Sequence, residues 1–180
     1  MGLVANQRKL YAFARKNHFI LPAFNFYDLE SMRAIFEAAQ EMDSPVIAQI
    51  SLSAYGNLAP IHEFVPFVKA VTGQYSVPIM LHHDYLPDLT SCRHAVDLGF
   101  QSVSFDGSGL PYHENLYITQ QVVEYAHIHG AIVEAELGNV PGDGFVAASV
   151  YTNPYQAAEF VRKTGCDALA VSAGTSHGGL

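Results

Sequence analysis

The sequence predicts an α/β fold with a parallel sheet, and three observations carry that prediction. Six short runs are apolar almost throughout, which is typical of strands buried on both faces. Helix signatures separate these runs, so that strand and helix alternate at about 25–35 residues per unit. Polar residues collect where each strand ends. The chain has 180 residues, of which 49% are hydrophobic and 14% charged, and this is enough for one domain with a well-buried core.

The six predicted strands follow one another along the whole chain. They cover residues 21–26, 46–51, 77–84, 102–106, 131–137 and 168–173. The sequence shows no low-complexity stretch and no linker between them. Residues 1–180 are therefore predicted to form a single domain.

Three helices are predicted from a capping residue at the start, and two of them also from a glycine at the end. Asp28 begins the first helix, Asp88 the second and Asn153 the third. The second and third end at Gly99 and Gly165. Apolar residues three and four positions apart mark the inward faces. These are Met32, Ile35, Phe36 and Ala39 in the first helix, Cys92, Ala95 and Val96 in the second, and Ala157, Phe160 and Val161 in the third.

Polar residues lie at the carboxyl end of nearly every predicted strand. They are Asn25, His82, Asp84, Asp106, Glu136, Thr175 and His177. In a (β/α) barrel these strand ends face one mouth, where the chemistry is done. Any one of these residues could instead be a helix cap or a solvated loop residue. Their recurrence in successive units favours a shared mouth.

Charge and cysteine content narrow the class of function. The formal net charge is −8, and nine Lys and Arg residues are spread along the chain, so that nucleic acid and anionic membrane surfaces are not expected partners. Cys92 and Cys166 are too far apart for a zinc ribbon. The first residues lack the apolar core of a signal peptide, and no apolar run reaches the roughly 18 residues of a membrane span. These features predict a cytoplasmic protein.

Five motifs in order connect the chain to a known family. They lie at residues 22–25, 77–84, 105–115, 133–138 and 170–178. In this order they resemble the class II, metal-dependent ketose-bisphosphate aldolases, which act on fructose or tagatose bisphosphate. The resemblance implies a (β/α)8 TIM barrel, with about six of its eight βα units in this chain. It also implies a homo-oligomer, either a dimer or a tetramer.

The implied reaction is a zinc-assisted aldol cleavage. Fructose- or tagatose-1,6-bisphosphate would give dihydroxyacetone phosphate and glyceraldehyde 3-phosphate, with Zn²⁺ stabilising the enediolate as a Lewis acid. By resemblance, Asp84 is the catalytic acid and base and His177 is a zinc ligand. Asn25 and Gly178 are expected to contact the small phosphorylated sugar. As alternatives, Asp84 could cap the following helix and His177 could be an ordinary loop histidine.

The resemblance assigns two further carboxylates to the metal. Asp106 and Glu136 match acidic residues near the zinc, which serve in some members for a second or displaced metal position. The alternative is that both are hydrogen-bonded barrel carboxylates.

The third strand departs from the family pattern. The family ends this strand with a zinc-binding histidine, whereas this chain has Tyr85 there. A phenol with a pKa of about 10 is a poor zinc ligand beside an imidazole. His83 is expected to face away from Asp84, because successive strand side chains point to opposite faces. His82 matches the family's other histidine, which orients its neighbours.

Two other departures concern loops and the last residues. In the loop after the fifth strand, where the family carries a proton-transfer glutamate, only Asp143 could take that role. The sequence stops in the loop after the sixth strand, whereas the family continues with the third zinc histidine and two more strands. Three hypotheses follow: an aldolase, a non-catalytic aldolase-like subunit or sugar-phosphate binder, or an inactive truncated fragment.

Overall fold

The computed structural model describes residue 3 and residues 6–57, 60–138 and 151–174. Within these ranges helices and strands alternate, which confirms the predicted α/β class. The strands are β1 (Ala23–Asn25), β2 (Val46–Ile50), β3 (Ile79–Leu86), β4 (Ser102–Phe105), β5 (Ile132–Leu137) and β6 (Ala168–Val171). The helices are α1 (Gln7–Lys16), α2 (Leu29–Glu41), α3 (Ile61–Thr72), α4 (Leu89–Leu98), α5 (Tyr112–Ile128) and α6 (Pro154–Thr164). A 3₁₀ helix (Leu52–Asn57) follows β2.

The six strands form one sheet in the order of the chain. Each pairs in parallel with the next, from β1 to β6. Sequential parallel strands joined through helices are the arrangement of a (β/α)8 TIM barrel, and the described residues contain six strands of that fold with helices between them. None of the described helices is long and apolar enough to cross a membrane.

Apolar side chains form two layers on opposite faces of the sheet. The larger layer lies between the sheet and the helices, and its largest members are Phe26, Phe36, Phe64, Phe100, Phe105 and Phe160. The smaller layer consists of Ile47, Met80 and Ile132, with Tyr11 and Leu21 packed against it. Because strand side chains alternate, residues two and four positions after Ile47, Met80 and Ile132 point to the same inner face of the sheet.

The predicted helix starts are confirmed. The Asp28 carboxylate accepts a hydrogen bond from the Ser31 amide at 2.7 Å, and Asp88 caps α4 in the same way through Ser91 at 2.8 Å. Asn153 accepts from the amides of the first turn of α6. Each cap satisfies an amide that the helix itself leaves without a partner.

The predicted helix ends are also confirmed, with one error in the inward faces. Gly99 and Gly165 follow α4 and α6 with φ of 95° and 72°, in the left-handed region that favours glycine. Val161 was predicted to face inward but is 37% exposed, whereas Phe160 next to it is fully buried. The face of α6 that packs against the core is therefore narrower than the apolar pattern suggested.

Strand β3 runs two residues past its predicted end because it contains a bulge. His83 pairs with Val103 and Leu86 with Phe105, so β3 has one residue more than β4 between these pairs. The extra residue is Tyr85, whose φ of 53° lies in the left-handed region. The bulge lets Leu86 pack in the outer apolar layer, where it is 1% exposed.

Candidate functional site

The inner face of the sheet becomes polar towards the carboxyl ends of the strands. Alternation and strand register place there Asn25, Gln49, His82, Asp84, Ser102, Ser104, Glu134 and Glu136. We call this set the inner polar face. Its floor is the small apolar layer of Ile47, Met80 and Ile132. A polar surface over an apolar floor at the carboxyl ends of parallel strands is where barrel enzymes place their sites.

The Asp84 carboxylate is held by one donor from the neighbouring strand β2 and by one from its own strand. Its Oδ2 accepts a hydrogen bond from Gln49 Nε2 at 3.0 Å, and its Oδ1 accepts one from the Tyr85 amide at 3.1 Å. Asp84 is only 8% exposed. A buried carboxylate with fixed donors has a defined orientation, which a proton-transfer group requires.

His82 lies beside this carboxylate in a fixed orientation. Its Nδ1 is hydrogen-bonded to Ser102 Oγ at 2.7 Å, and its Nε2 is 3.7 Å from Asp84 Oδ1. His82 therefore lies next to the Asp84 carboxylate, and its orienting role stays a prediction.

Glu136 carries a strongly shifted carboxyl group. Burial, together with the negative charges of Asp106, Asp84 and Glu134, raises its pKa to about 8. Burial also raises the pKa of Glu134. Glu136 is consequently protonated at neutral pH, so it can donate a hydrogen bond rather than only accept one.

Asp106 lies in a tight turn after β4. Its Oδ1 accepts from the Ser108 amide at 3.0 Å and from Ser108 Oγ at 2.6 Å. Next to it, a Cβ added at Gly107 would lie 2.2 Å from Asn115 Oδ1. Asn115 in turn donates to the Glu136 carbonyl at 2.8 Å. The turn that carries Asp106 thus packs against Asn115 of α5, which connects it to the end of β5.

Tyr85 lies at the mouth, at the position where the resemblance leads one to expect a metal-binding histidine. The side chain is 38% exposed. Burial raises the pKa of its phenol to about 12, with smaller contributions from Asp84, Glu136 and Asp106. The bulge thus brings the phenol among the carboxylates of the site while the phenol stays neutral, which makes it a poor metal ligand.

His83 faces the helix layer, as alternation predicts. It is fully buried, and its ring packs edge-on against Phe100 and Tyr55 at centroid distances of 5.0 and 5.5 Å. The bulge at Tyr85 does not bring His83 back to the inner face.

The described residues do not make up a zinc site. Among them, no group of three or more His, Cys, Asp and Glu side chains is arranged to hold a metal ion. His177, Gly178 and Asp143 lie outside the described residues. The metal-binding roles of Asp106 and Glu136 therefore stay predictions.

Several residues of the inner polar face escaped the sequence prediction. They are Gln49, Ser102, Ser104 and Glu134. Gln49 and Glu134 each follow an inner-face apolar residue by two positions, so period-two alternation along β2 and β5 could have found them. The prediction placed weight on strand ends and overlooked polar residues inside the strands.

Comparison with known proteins connects this geometry to one family. The family model described as fructose-bisphosphate aldolase class-II matches residues 5–180. A fructose-bisphosphate aldolase of Treponema pallidum is 42% identical over 99% of the chain and 56% of its own length. One of Staphylococcus epidermidis is 37% identical over 97% of the chain and 63% of its own length.

Solved structures agree with the sequence comparison. The crystal structure of the YdjI aldolase of Escherichia coli superposes with a TM-score of 0.86 at 33% identity, over 97% of this chain and 64% of that one. A putative fructose-1,6-biphosphate aldolase of Coccidioides immitis gives a TM-score of 0.84 at 33% identity, over 95% of this chain and 61% of that one. The chain thus spans less than two thirds of the length of these relatives.

Proposed function

Because the chain belongs to the class-II fructose-bisphosphate aldolase family, we propose that its inner polar face binds a phosphorylated ketose and that Asp84 transfers a proton during carbon–carbon bond cleavage. The observation that supports this most is the position of Asp84. Its carboxylate lies near the carboxyl end of β3 and accepts hydrogen bonds from Gln49 and the Tyr85 amide.

In the proposed reaction, fructose- or tagatose-1,6-bisphosphate gives dihydroxyacetone phosphate and glyceraldehyde 3-phosphate. Asp84 accepts the proton of the substrate hydroxyl as the adjacent carbon–carbon bond breaks. Asn25 is proposed to contact the substrate, since its amide lies on the same face beside Gln49. Gly178 and His177 keep their predicted roles, with no structural support from the described residues.

In aldol cleavage a bound Zn²⁺ supplies Lewis-acid stabilisation of the enediolate. The described residues do not form its site, and Tyr85 replaces the ligand that the family pattern leads one to expect. We assign no step to zinc in this chain.

The test compares Asp84→Asn with the unmodified chain in a coupled assay of fructose- and tagatose-1,6-bisphosphate cleavage. Removing a general acid and base costs about 10²–10⁴ in rate, so the variant should lose nearly all turnover. The matched control is Asp97→Asn, because Asp97 accepts a hydrogen bond from Tyr125 on the exposed face of α4. Undiminished cleavage by Asp84→Asn would contradict the proposal.

A second function is favoured by Tyr85. A neutral phenol at the expected ligand position suits a non-catalytic aldolase-like subunit or sugar-phosphate binder, which keeps the substrate face without the metal. Calorimetric titration with dihydroxyacetone phosphate, together with the cleavage assay, distinguishes this second function from the first. Binding without any cleavage in zinc-containing buffer supports this second function, whereas cleavage supports the first.

We also propose that the chain forms a homo-oligomer. An apolar groove of about 630 Å³ runs along β1 and α2, where Phe24 and Met42 are 52% and 76% exposed. Burying such a surface is a common reason for self-association. Sedimentation velocity of the unmodified chain and of Met42→Glu tests this, and we expect the variant to shift towards monomer. A cytoplasmic location and the absence of nucleic-acid partners stay predictions.

A further inference from the structure

Tyr55 and His83 form a hydrogen-bonded pair behind Asp84, on the helix side of the sheet. The hydroxyl of Tyr55 is hydrogen-bonded to Nε2 of His83. Nδ1 of His83 lies 3.1 Å from the backbone oxygen of Asp84. The imidazole therefore joins a side chain of the 3₁₀ helix to the backbone of the residue proposed for proton transfer.

The chemistry of the partners fixes the direction of these hydrogen bonds. A carbonyl oxygen only accepts, so Nδ1 of His83 must carry the proton. Burial lowers the pKa of His83 to about 4, which keeps the ring neutral, and Nε2 is then an acceptor. Tyr55 must donate to it, and burial raises the pKa of that phenol to about 12, so its proton is retained.

The Asp84–Tyr85 peptide continues the same chain of hydrogen bonds to the other side of the sheet. In a planar peptide the carbonyl and the amide point in opposite directions. The carbonyl of this peptide accepts from His83, and its amide donates to Oδ1 of the Asp84 side chain at 3.1 Å. The amide belongs to Tyr85, which has left-handed backbone geometry at the bulge.

The geometry points to Tyr55 and His83 as positioning residues for Asp84. They hold the carbonyl of the bulge peptide on the helix side and so direct its amide at the Asp84 carboxylate on the inner face. Hydrogen bonds in series polarise one another, so donation to the carbonyl also strengthens the amide as a donor. The packing of His83 between Tyr55 and Phe100 keeps the ring in the plane that this requires.

The effect on catalysis rests on the proposed function, but the hydrogen-bond chain itself does not. The first test is therefore made without substrate. Two-dimensional ¹⁵N NMR of histidine-labelled protein reports which ring nitrogen carries the proton, and His83→Gln identifies the resonance. We expect the Nδ1-protonated form for His83. Protonation at Nε2 would overturn the inference, because His83 could then not donate to Asp84.

The second test uses Tyr55→Phe, which removes one hydroxyl and keeps the ring that packs on His83. We expect the Nε2 resonance of His83 to shift and hydrogen exchange of the Tyr85 amide to quicken by roughly 3- to 10-fold, the equilibrium factor of one hydrogen bond. Tyr125→Phe is the matched control, since it removes a hydroxyl that donates to Asp97 on the surface. Unchanged exchange at Tyr85 in Tyr55→Phe would overturn the inference.

If the unmodified chain cleaves substrate, steady-state kinetics give a third test of the positioning role. A positioning pair that acts through Asp84 predicts that Tyr55→Phe lowers kcat and leaves KM near its original value. A fall in kcat/KM carried wholly by KM would contradict the positioning role. If the chain does not cleave substrate, the NMR results still decide the hydrogen-bond chain, so the two proposals fail separately.

Discussion

Gln49 and Asp84 are joined across two neighbouring strands, with Nε2 of Gln49 donating to Oδ2 of Asp84 at 3.0 Å. The same nitrogen lies 3.1 Å from Oδ1 of Asn25, so one amide group connects the ends of β1, β2 and β3. The orientation of the Asp84 carboxylate therefore depends on the first two strands as well as on its own.

The first prediction concerns this amide. Gln49→Leu keeps the approximate volume and removes the donor, which leaves Oδ2 of Asp84 without it. We expect the free energy of unfolding to fall by about 1–3 kcal/mol, as for a hydrogen bond to a charged group. If the chain is active, misorientation of the carboxylate should lower its rate by about 10- to 100-fold. Urea unfolding and the cleavage assay measure the two effects.

The control for that prediction is Gln120→Leu. Gln120 donates to the Lys163 carbonyl at 2.9 Å on the exposed surface, where its loss should cost no more than about 0.5 kcal/mol. Equal losses of unfolding free energy in both variants would show that the hydrogen bond to Asp84 stabilises the fold no more than a surface hydrogen bond does.

The second prediction concerns metal binding at position 85. Tyr85→His introduces the ligand that the family pattern has there, and histidine is among the residues that tolerate a positive φ. We expect zinc affinity to rise by about tenfold or more, because a neutral imidazole binds zinc without losing a proton whereas this phenol has a pKa of about 12. Isothermal titration of metal-free protein measures the change.

Tyr85→Phe is the control for the zinc experiment. It removes the phenol oxygen without adding a ligand, so its zinc affinity should equal that of the unmodified chain. A marked loss of affinity in Tyr85→Phe would mean that the phenol is itself a ligand, contrary to this prediction.

The third prediction follows from the raised pKa of Glu136, which is about 8 in the folded chain against 4.5 for an unperturbed glutamate. The folded state binds more protons than the unfolded state between these values, so stability must fall as pH rises from about 4.5 to about 8 and then level off. Glu136→Gln stays neutral throughout. We expect it to match the unmodified chain near pH 4.5 and to exceed its stability at pH 8.5.

Urea unfolding of metal-free protein across this pH range measures the difference. Glu159→Gln is the control, because the side chain of Glu159 is 40% exposed and its hydrogen bond with the Lys163 ammonium lowers its pKa, which gives the opposite sign. The prediction fails if the stability of Glu136→Gln runs parallel to that of the unmodified chain at every pH.

Much of the fold could be predicted because local signals and tertiary structure agree. The strand predicted at 46–51 is β2 (Val46–Ile50), and the predicted cap Asp28 begins α2. Helices α1, α3 and α5 were not predicted. Helices α3 and α5 begin after Pro60 and Pro111 without a side-chain cap, so no local start signal marks them. Helix α1 does begin with a cap, in which Asn6 accepts a hydrogen bond from the Lys9 amide, and that signal was overlooked.

The site could be predicted in position but not in detail. Alternation along the strands correctly placed Asp84 on the inner face and His83 on the outer one. The bulge at Tyr85 depends on pairing with β4, and the raised pKa of Glu136 depends on burial and on carboxylates that include Asp84 of β3 and Asp106 after β4. Neither can be read from one segment of sequence, because both arise from contacts between segments.

The fourth prediction concerns the turn that carries Asp106. Gly107→Ala would place a Cβ 2.2 Å from Oδ1 of Asn115, and that side chain cannot retreat easily because it also donates to the Glu136 carbonyl. We expect a loss of about 1–3 kcal/mol in unfolding free energy, as for overpacking in a buried site. Gly109→Ala in the same turn has no atom within 4 Å of its added Cβ, so its stability should change by no more than about 0.5 kcal/mol. Urea unfolding of both variants measures these changes. Close packing against Asn115 should destabilise only Gly107→Ala. Equal destabilisation of both variants would instead show that the turn tolerates alanine at neither position.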